Sequence, residues 1–323
     1  MDKTIDQLNT SAKLRVSLID GNAINFSPKP RSRKRYGVTV RYYESGSEAV
    51  SKRIDYQIEL SVEQFKNEHK TWQLCFDKVE LYIDRHEPDL VSEQLASLAM
   101  GAIFPVKVDV NRDNEIFRGI VNHPDILSRW MKTKERISDK FEGDITELYL
   151  KKMDQKLADR VELEYALRLD MFWSVFFHPQ YFKYGSGLDR EMRFSFPAVA
   201  YRNLVFEGRQ WIDPVYTDYG TYHVGFRSTE MLTEDLRFQM HSKAANEMRL
   251  EAQWDLDQAG GLLKHATVNW SLLNGRESEK RIFFSAYEIE ARQEPVNGQL
   301  LQEKDEEMFG EVKKKGFWAR LMS

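Results

Sequence analysis

Apolar residues recur at every second position in run after run of this chain, and that period constrains its fold more than any other feature. Val38, Val40 and Tyr42 alternate with Thr39, Arg41 and Tyr43, and Ile54, Tyr56, Ile58 and Leu60 repeat the pattern beyond the turn Glu44-Ser45-Gly46-Ser47. Trp72, Leu74 and Phe76 come next, and Val79, Leu81 and Ile83 continue in the opposite phase, which places a bulge or short turn at Asp77-Lys78. Val106, Val108 and Val110 lead into Asn111-Arg112-Asp113-Asn114, and Ile116 and Phe117 begin a return strand. Successive side chains of a strand point to opposite faces, so each run describes a strand with one face buried.

The pattern returns late in the chain. Phe194 and Phe196 alternate, as do Tyr222, Val224 and Phe226. Leu250, Ala252, Trp254 and Leu256 are followed by a turn at Gly260-Gly261, then by Ala266, Val268, Trp270 and Leu272. Asn274-Gly275 is a strong hairpin signal, and Phe283, Tyr287 and Ile289 lie in the strand beyond it. A three-stranded meander over 249–257, 263–273 and 279–290 is expected, with Trp254 and Trp270 on its buried face.

Between the two β-rich parts the period changes. Residues 124–178 space their apolar side chains by three and four, as helices do. Ile126, Leu127, Trp130 and Met131 form one stripe, and Ile145, Leu148, Met153, Leu157 and Val161 form a second after Gly143-Asp144, where Asp144 is suited to cap. The third stripe widens toward Phe177, which makes the last helix the most buried. Pro88 and Gly101 bracket a shorter helix, and Thr233 caps another that extends toward Met248.

The fold class is therefore α+β: a large, curved, mostly antiparallel sheet, as a half-barrel or two sheets, packed on a central helical block. Residues 1–36 form an N-terminal arm, whose run Lys29, Arg31, Arg33, Lys34 and Arg35 reads as a solvated loop. Residues 37–293 form the globular domain, β-rich over 37–121, helical over 124–178 and β-rich over 192–290. Residues 294–323 form a flexible, charged tail.

Composition narrows the function by exclusion. The net charge of −4 disfavours a nucleic-acid binder. The single cysteine, Cys75, allows no disulfide framework and no multi-cysteine metal site. No two of the 7 histidines lie within four residues, so a local zinc signature is missing. The start carries acidic and polar residues where a signal peptide needs a basic, then apolar, segment. No apolar stretch approaches the roughly 20 residues of a membrane span, so a cytoplasmic location is the expectation.

Catalytic motifs are equally scarce. Gly185-Ser186-Gly187 lacks the spacing of a nucleophile elbow, and neither it nor Gly260-Gly261 has the lysine of a phosphate loop. His178 and His223 lie among aromatics and read as hydrogen-bonded boundary residues. Gln210 to Pro214 and Tyr216 to Tyr219 read as a packed β-connection. No cofactor and no metal is expected.

The tail carries one specific suggestion. Lys313, Lys314 and Lys315 stand beside Phe317, Trp318, Arg320 and Leu321. Such a segment docks either as a short helix in a protein groove or in the interface of an anionic membrane. The first reading of function is thus a non-enzymatic adaptor, a cytoplasmic component of a larger assembly that uses this tail and a sheet face. A homo-oligomer is compatible with it. The alternatives are a carrier that encloses an apolar ligand between sheet and helices, with Trp254, Trp270, Phe283 and Tyr287 lining the cavity, and an enzyme with a dispersed site.

Overall fold

The computed structural model describes residues 14–289, apart from 45, 46, 48, 67, 69, 112–116, 200, 201 and 243. The strands are β1 (Arg33–Glu44), β2 (Val50–Lys66), β3 (Thr71–Ile83), β4 (Val106–Asn111), β5 (Phe117–Ile120), β6 (Asp189–Val199), β7 (Arg202–Ile212), β8 (Tyr222–Met231), β9 (Glu247–Leu256), β10 (Leu263–Asn274) and β11 (Glu277–Glu288). They form one 11-stranded sheet in the order β5-β4-β3-β2-β1-β11-β10-β9-β8-β7-β6. Every pairing is antiparallel.

That order describes two meanders. The chain starts at the centre with β1 and walks outward to β5. It then crosses through α2 (His123–Lys140), α3 (Asp144–Ala158), α4 (Arg160–Arg168) and α5 (Met171–Phe176) to the opposite end, β6, and walks back to β11 beside β1. Two short helices complete the fold, α1 (Val91–Ile103) before β4 and α6 (Glu234–Gln239) before β9. Neighbouring strands are nearly all joined directly, and only the β1–β11 pair joins distant parts of the chain. The sheet does not close, and its buried side chains and those of the helices form one continuous apolar cluster.

The helices occupy one face. Helix α5 is the most deeply placed, with Phe172, Trp173, Val175 and Phe176 all buried. Two alanines in adjacent strands, Ala266 and Ala286, are paired on the same face, flanked by Trp254 and Val38. Small side chains at the middle of the row and large ones beside it give the sheet surface the relief into which helical side chains pack. The indole Nε1 of Trp254 donates to the Val175 carbonyl at 3.0 Å, which ties α5 to the sheet.

The end strands are guarded differently. The Ile120 N–H at the free edge of β5 donates to Glu164 Oε1 at 2.9 Å, so a carboxylate from α4 takes the place of a further strand. On β6 the Ser195 carbonyl accepts from the Ser174 hydroxyl of α5. The last turn of α1 has no basic residue of its own, and Arg129 of α2 supplies one, donating to the Ala102, Ile103 and Pro105 carbonyls at 2.9 Å each.

The expected α+β architecture and the late meander are present, and Trp254 and Trp270 lie on the buried face. Several local expectations are corrected. β1 begins at Arg33, inside the segment read as an arm, and Ile24 and Phe26 from that segment are buried in the core. The phase switch in β3 occurs at Glu80, which has φ 54°, rather than at Asp77-Lys78. Gly101 does not stop α1, because Ala102 is fully buried and extends the apolar stripe to Ile103. The cap position of α3 is Gly143, and Asp144 is its first residue. Ile145 and Val161 are 61% and 62% exposed, because α3 buries Thr146, Leu150 and Leu157 and α4 buries Leu163 and Leu167. Residues Gln210 to Ile212 belong to the continuous strand β7, not to a connection, and α6 ends at Gln239.

Two glycines inside strands have a packing reason. A Cβ on Gly37 would stand 2.6 Å from Tyr287 Cζ, and one on Gly225 would stand 2.2 Å from Trp211 Cζ2. In each case a ring from the neighbouring strand occupies the space over the glycine, and a larger residue would force that ring to shift.

Candidate functional site

The site is built outward from Asp170, which follows the end of α4. Its carboxylate accepts from the backbone N–H of Phe172 at 2.9 Å and of Trp173 at 3.4 Å, which starts α5. The same carboxylate holds Lys78 Nζ at 2.8 Å and accepts from the Tyr56 hydroxyl at 3.4 Å, while Lys78 lies 3.8 Å above the Tyr56 ring. Helix α5 is thus fixed to β2 and β3 by one anchored cap. Its aromatic side chains all meet Phe76 of β3 and differ in their further contacts. Phe172 and Phe176 meet Tyr36 and Phe76, and Trp173 and Phe177 meet Phe117 of β5 at ring-centre distances of 5.9 and 5.3 Å.

Beyond α5 the chain turns at His178-Pro179. The His178 ring stacks on Trp254 with centroids 4.9 Å apart and on Phe194 at 4.3 Å. Its Nε2 donates to Gln210 Oε1 at 2.6 Å, and the Gln210 amide nitrogen donates to the Pro179 carbonyl at 2.9 Å and the Tyr184 hydroxyl at 2.6 Å. Burial lowers the His178 pKa to about 4, against the opposing pull of the Gln210 hydrogen bond. The imidazole is therefore neutral at neutral pH, with its proton on Nε2. Burial likewise raises the pKa of the Tyr184 hydroxyl.

A pocket of about 260 Å³ opens between α4–α5 and the strands β5, β6 and β7. Phe117 comes from one end of the sheet and Phe194 from the other, so the pocket lies in the seam that the open sheet leaves. Trp173, Phe177 and Pro179 complete the apolar wall. Arg168, Ser174, His178, Arg193, Ser195 and Asn203 supply the polar one.

The polar groups differ in how far they are committed. The Ser174 hydroxyl is spent on the Ser195 carbonyl, and the Arg193 guanidinium is held by Glu207 Oε1 at 2.8 Å. Asn203 donates from Nδ2 to the Arg168 carbonyl at 3.1 Å, but among the described residues its buried Oδ1 has no partner, and neither has the buried Nε1 of Trp173. Buried polar groups without partners are uncommon, and each costs roughly 1–3 kcal/mol. The guanidinium of Arg168 lies 5.3 Å from the Phe117 ring centre and meets no carboxylate among the described residues.

A second cluster of ionisable groups lies on the other face of the sheet. Asp255 Oδ1 meets His223 Nδ1 at 3.0 Å, and its Oδ2 meets His265 Nδ1 at 3.6 Å. The hydrogen bond to Asp255 raises the His223 pKa over the opposing effect of burial. Burial pushes the Asp255 carboxyl up, but the two imidazoles outweigh it and hold the pKa at about 2. Both rings spend Nδ1 on the carboxylate, so the three groups make an ion-pair ladder. Among the described residues no group of three or more histidine, cysteine, aspartate or glutamate side chains is placed to hold a metal, and no helix is long and apolar enough to cross a membrane.

The residues read from the sequence as a cavity lining are not brought together. Trp254 and Trp270 share the helix-covered face, whereas Phe283 and Tyr287 lie on the opposite one, paired with Arg41 and Gly37. The strand turns one position from the expected phase, because Ile282, Phe284 and Ala286 are its buried residues. The space beside Trp254 is filled by His178 and Phe194. The tail residues Lys313, Lys314, Lys315, Phe317, Trp318, Arg320 and Leu321 lie outside the described residues. Of the seam pocket, sequence reasoning weighed only His178 as a site residue, and it named Phe117, Phe177 and Phe194 only as parts of strands and a helix. Arg168 ends a surface helix and Asn203 starts a strand, and no local pattern distinguishes either.

The chain matches no protein-family model and no curated protein sequence. Among solved structures it is similar to a lipovitellin chain from a structure titled "Lipid-protein interactions in lipovitellin", with a TM-score of 0.41 and 10% sequence identity. The match covers 84% of this chain and 26% of that one, so this chain spans about a quarter of its neighbour. At that TM-score the likeness carries no functional argument.

Proposed function

We propose that this chain is a binding protein that takes a small, largely apolar ligand in the seam pocket between α5 and the end strands. One observation carries the reading: a pocket of about 260 Å³ joins an aromatic wall of Phe117, Trp173, Phe177 and Phe194 to a polar one that includes the guanidinium of Arg168. Apolar walls with a few placed polar groups are the usual composition of ligand sites. Binding is favoured over catalysis by the commitments of the wall. Ser174 and His178 stand four residues apart, yet the hydroxyl donates to the Ser195 carbonyl and not to the imidazole, so they form no nucleophile–base pair.

The test uses octan-1-ol as probe in calorimetric titration and tryptophan fluorescence. Saturable one-to-one binding, lost in Ser174→Phe, supports the reading. Absence of saturable binding, or binding indifferent to Ser174→Phe in a variant that melts normally, removes it.

A second reading, the adaptor, is favoured by the solvent side of α2, α3 and α4. Met131, Ile145, Leu148, Val161 and Tyr165 are exposed there, and large apolar side chains on a surface mark partner contacts when they cluster. In this reading the basic-aromatic tail supplies a second contact with a protein partner on the cytoplasmic side. Deleting residues 311–323 would then weaken capture of that partner without lowering the melting temperature, and unchanged capture would remove the role of the tail.

A further inference from the structure

We infer that the ligand of the seam pocket is an amphiphilic anion, a carboxylate on a short apolar chain or ring, whose charged end is received by Arg168. The inference rests on the pocket reading above and adds the charge of the ligand and the residue that selects it.

Arg168 is the starting point. It stands in the last turn of α4, a position where a cation is stabilised by the carbonyl end of the helix, so helix electrostatics explain its charge without explaining its direction. Its guanidinium lies over the Phe117 ring, which belongs to the apolar wall. A ring beneath a guanidinium leaves the edge of the fork, with its N–H donors, free to meet an acceptor. Other arginines near the seam are spent on carboxylates: Arg193 on Glu207, Arg209 on Asp189 and Arg160 on Glu164. Arg168, which lines the pocket, meets none among the described residues. The polar wall contributes no carboxylate, so nothing in the lining repels an anion.

The aromatic wall of the pocket fixes the other end of the ligand. Phe117, Trp173, Phe177 and Phe194 line it, and His178, which lines it with them, is held neutral by burial. A fully polar anion would lose its water against these rings with no return. A ligand with an apolar body and one terminal anion satisfies both ends. A carboxylate is planar and matches the guanidinium fork in two parallel hydrogen bonds.

The experiment titrates octanoate and octan-1-ol into the full chain, into Arg168→Gln and into Arg193→Gln. Arg168 is exposed and Arg193 is on an outer strand, so both variants keep the fold. The expected result is that octanoate binds more tightly than octan-1-ol. Arg168→Gln should weaken octanoate by about tenfold or more, the equivalent of one lost charge-assisted contact. It should leave octan-1-ol within about twofold of wild type. Arg193→Gln should weaken octanoate less than Arg168→Gln does, because the Arg193 guanidinium already has its carboxylate in Glu207. If octan-1-ol binds as well as octanoate, or if Arg168→Gln has no effect on octanoate, the ligand is not selected as an anion by Arg168 and the inference is overturned while the pocket stands. If Arg193→Gln does the greater damage, the assignment to Arg168 is overturned. If neither probe binds, the pocket reading and the inference both fail.

Discussion

Two rows of residues cross the sheet side by side, one position apart in every strand. The first reads Val224, Trp254, Ala266, Ala286, Val38 and Tyr56, and the second reads His223, Asp255, His265, Tyr287, Gly37 and Gln57. The first faces the helices and is buried throughout; the second faces away and is largely polar. Each row has histidine chemistry, and the outcomes are opposite. His178 rests on Trp254 of the first row and is driven to its neutral form by burial. His223 shares Asp255 with His265 in the second row and is drawn toward its charged form. A histidine's protonation in this fold is decided by which face it meets, not by its neighbours in sequence.

The largest expected difference between the faces is in packing. Trp254→Ala should cost about 3–5 kcal/mol, since a fully buried indole is lost together with its bond to Val175. Tyr287→Ala, on the opposite face and 49% exposed, should cost no more than about 1 kcal/mol. Urea unfolding of both variants checks the contrast, and equal losses would break it.

The next effect is the acid response of His178. Its pKa in the folded chain is about 4 against 6.5 for the free side chain, so the unfolded chain binds a proton that the folded chain refuses. Stability from this group is level above about pH 6.5, falls as the pH drops toward 4, and totals roughly 3 kcal/mol over that window. His178→Phe should flatten that part of the pH profile of the urea midpoint. An unchanged slope in the variant would mean that the imidazole is not the group responsible.

The outer histidine should respond with the reverse sign. The His223 pKa is raised by Asp255, so its contribution is full below the unfolded value near 6.5 and is lost as pH rises through the folded value. Asp255 is held at about 2, so its own contribution is present above roughly 3.8 and is lost as the pH falls through 2. The pair therefore stabilises most between about pH 4 and 6.5, the same window in which His178 destabilises. Asp255→Asn should cost on the order of 1–2 kcal/mol there and less at pH 8, a discount for partial solvent access included. Measuring Asp255→Asn and His178→Phe at pH 5 and 8 sharpens the comparison, because the two differences must run in opposite directions.

The smallest effect belongs to the outer ion pairs further along. Arg227 meets Glu251 at 3.0 Å across β8 and β9, with both side chains well exposed. Arg227→Ala should cost under about 1 kcal/mol and should approach zero in high salt. A larger loss would mean that the outer face is covered by something that excludes water.

The contrast between the rows was largely legible in the sequence, because a period of two is itself a statement that adjacent residues face opposite ways. Leu250, Ala252, Trp254 and Leu256 announced both the strand β9 and its buried face. The same rule went astray at Phe283 and Tyr287, where aromatic side chains on the outer face mimic an apolar run while Ile282, Phe284 and Ala286 form the buried one. Aromatics are suited to either face of a strand, and only the cross-strand partner decides between them. For Tyr287 that partner is Gly37, whose missing side chain receives the ring. The exposed Ile145 and Val161 are the helical counterpart: their spacing fits a stripe, but the stripe that meets the core is another.

What the sequence determined by itself was most of the strands, though not β7, the helical interlude between them and the α+β class, since hydrophobic period and turn residues are local properties. What only the tertiary structure decided was the seam. The pocket takes Phe117 from one end of the sheet, Phe194 from the other, and Arg168 and Trp173 from the crossing that joins them. These residues are brought together because an open sheet curves over α5 and leaves its two end strands facing across it. No pattern within any one segment encodes that approach, because it follows from the twist and packing of all 11 strands together.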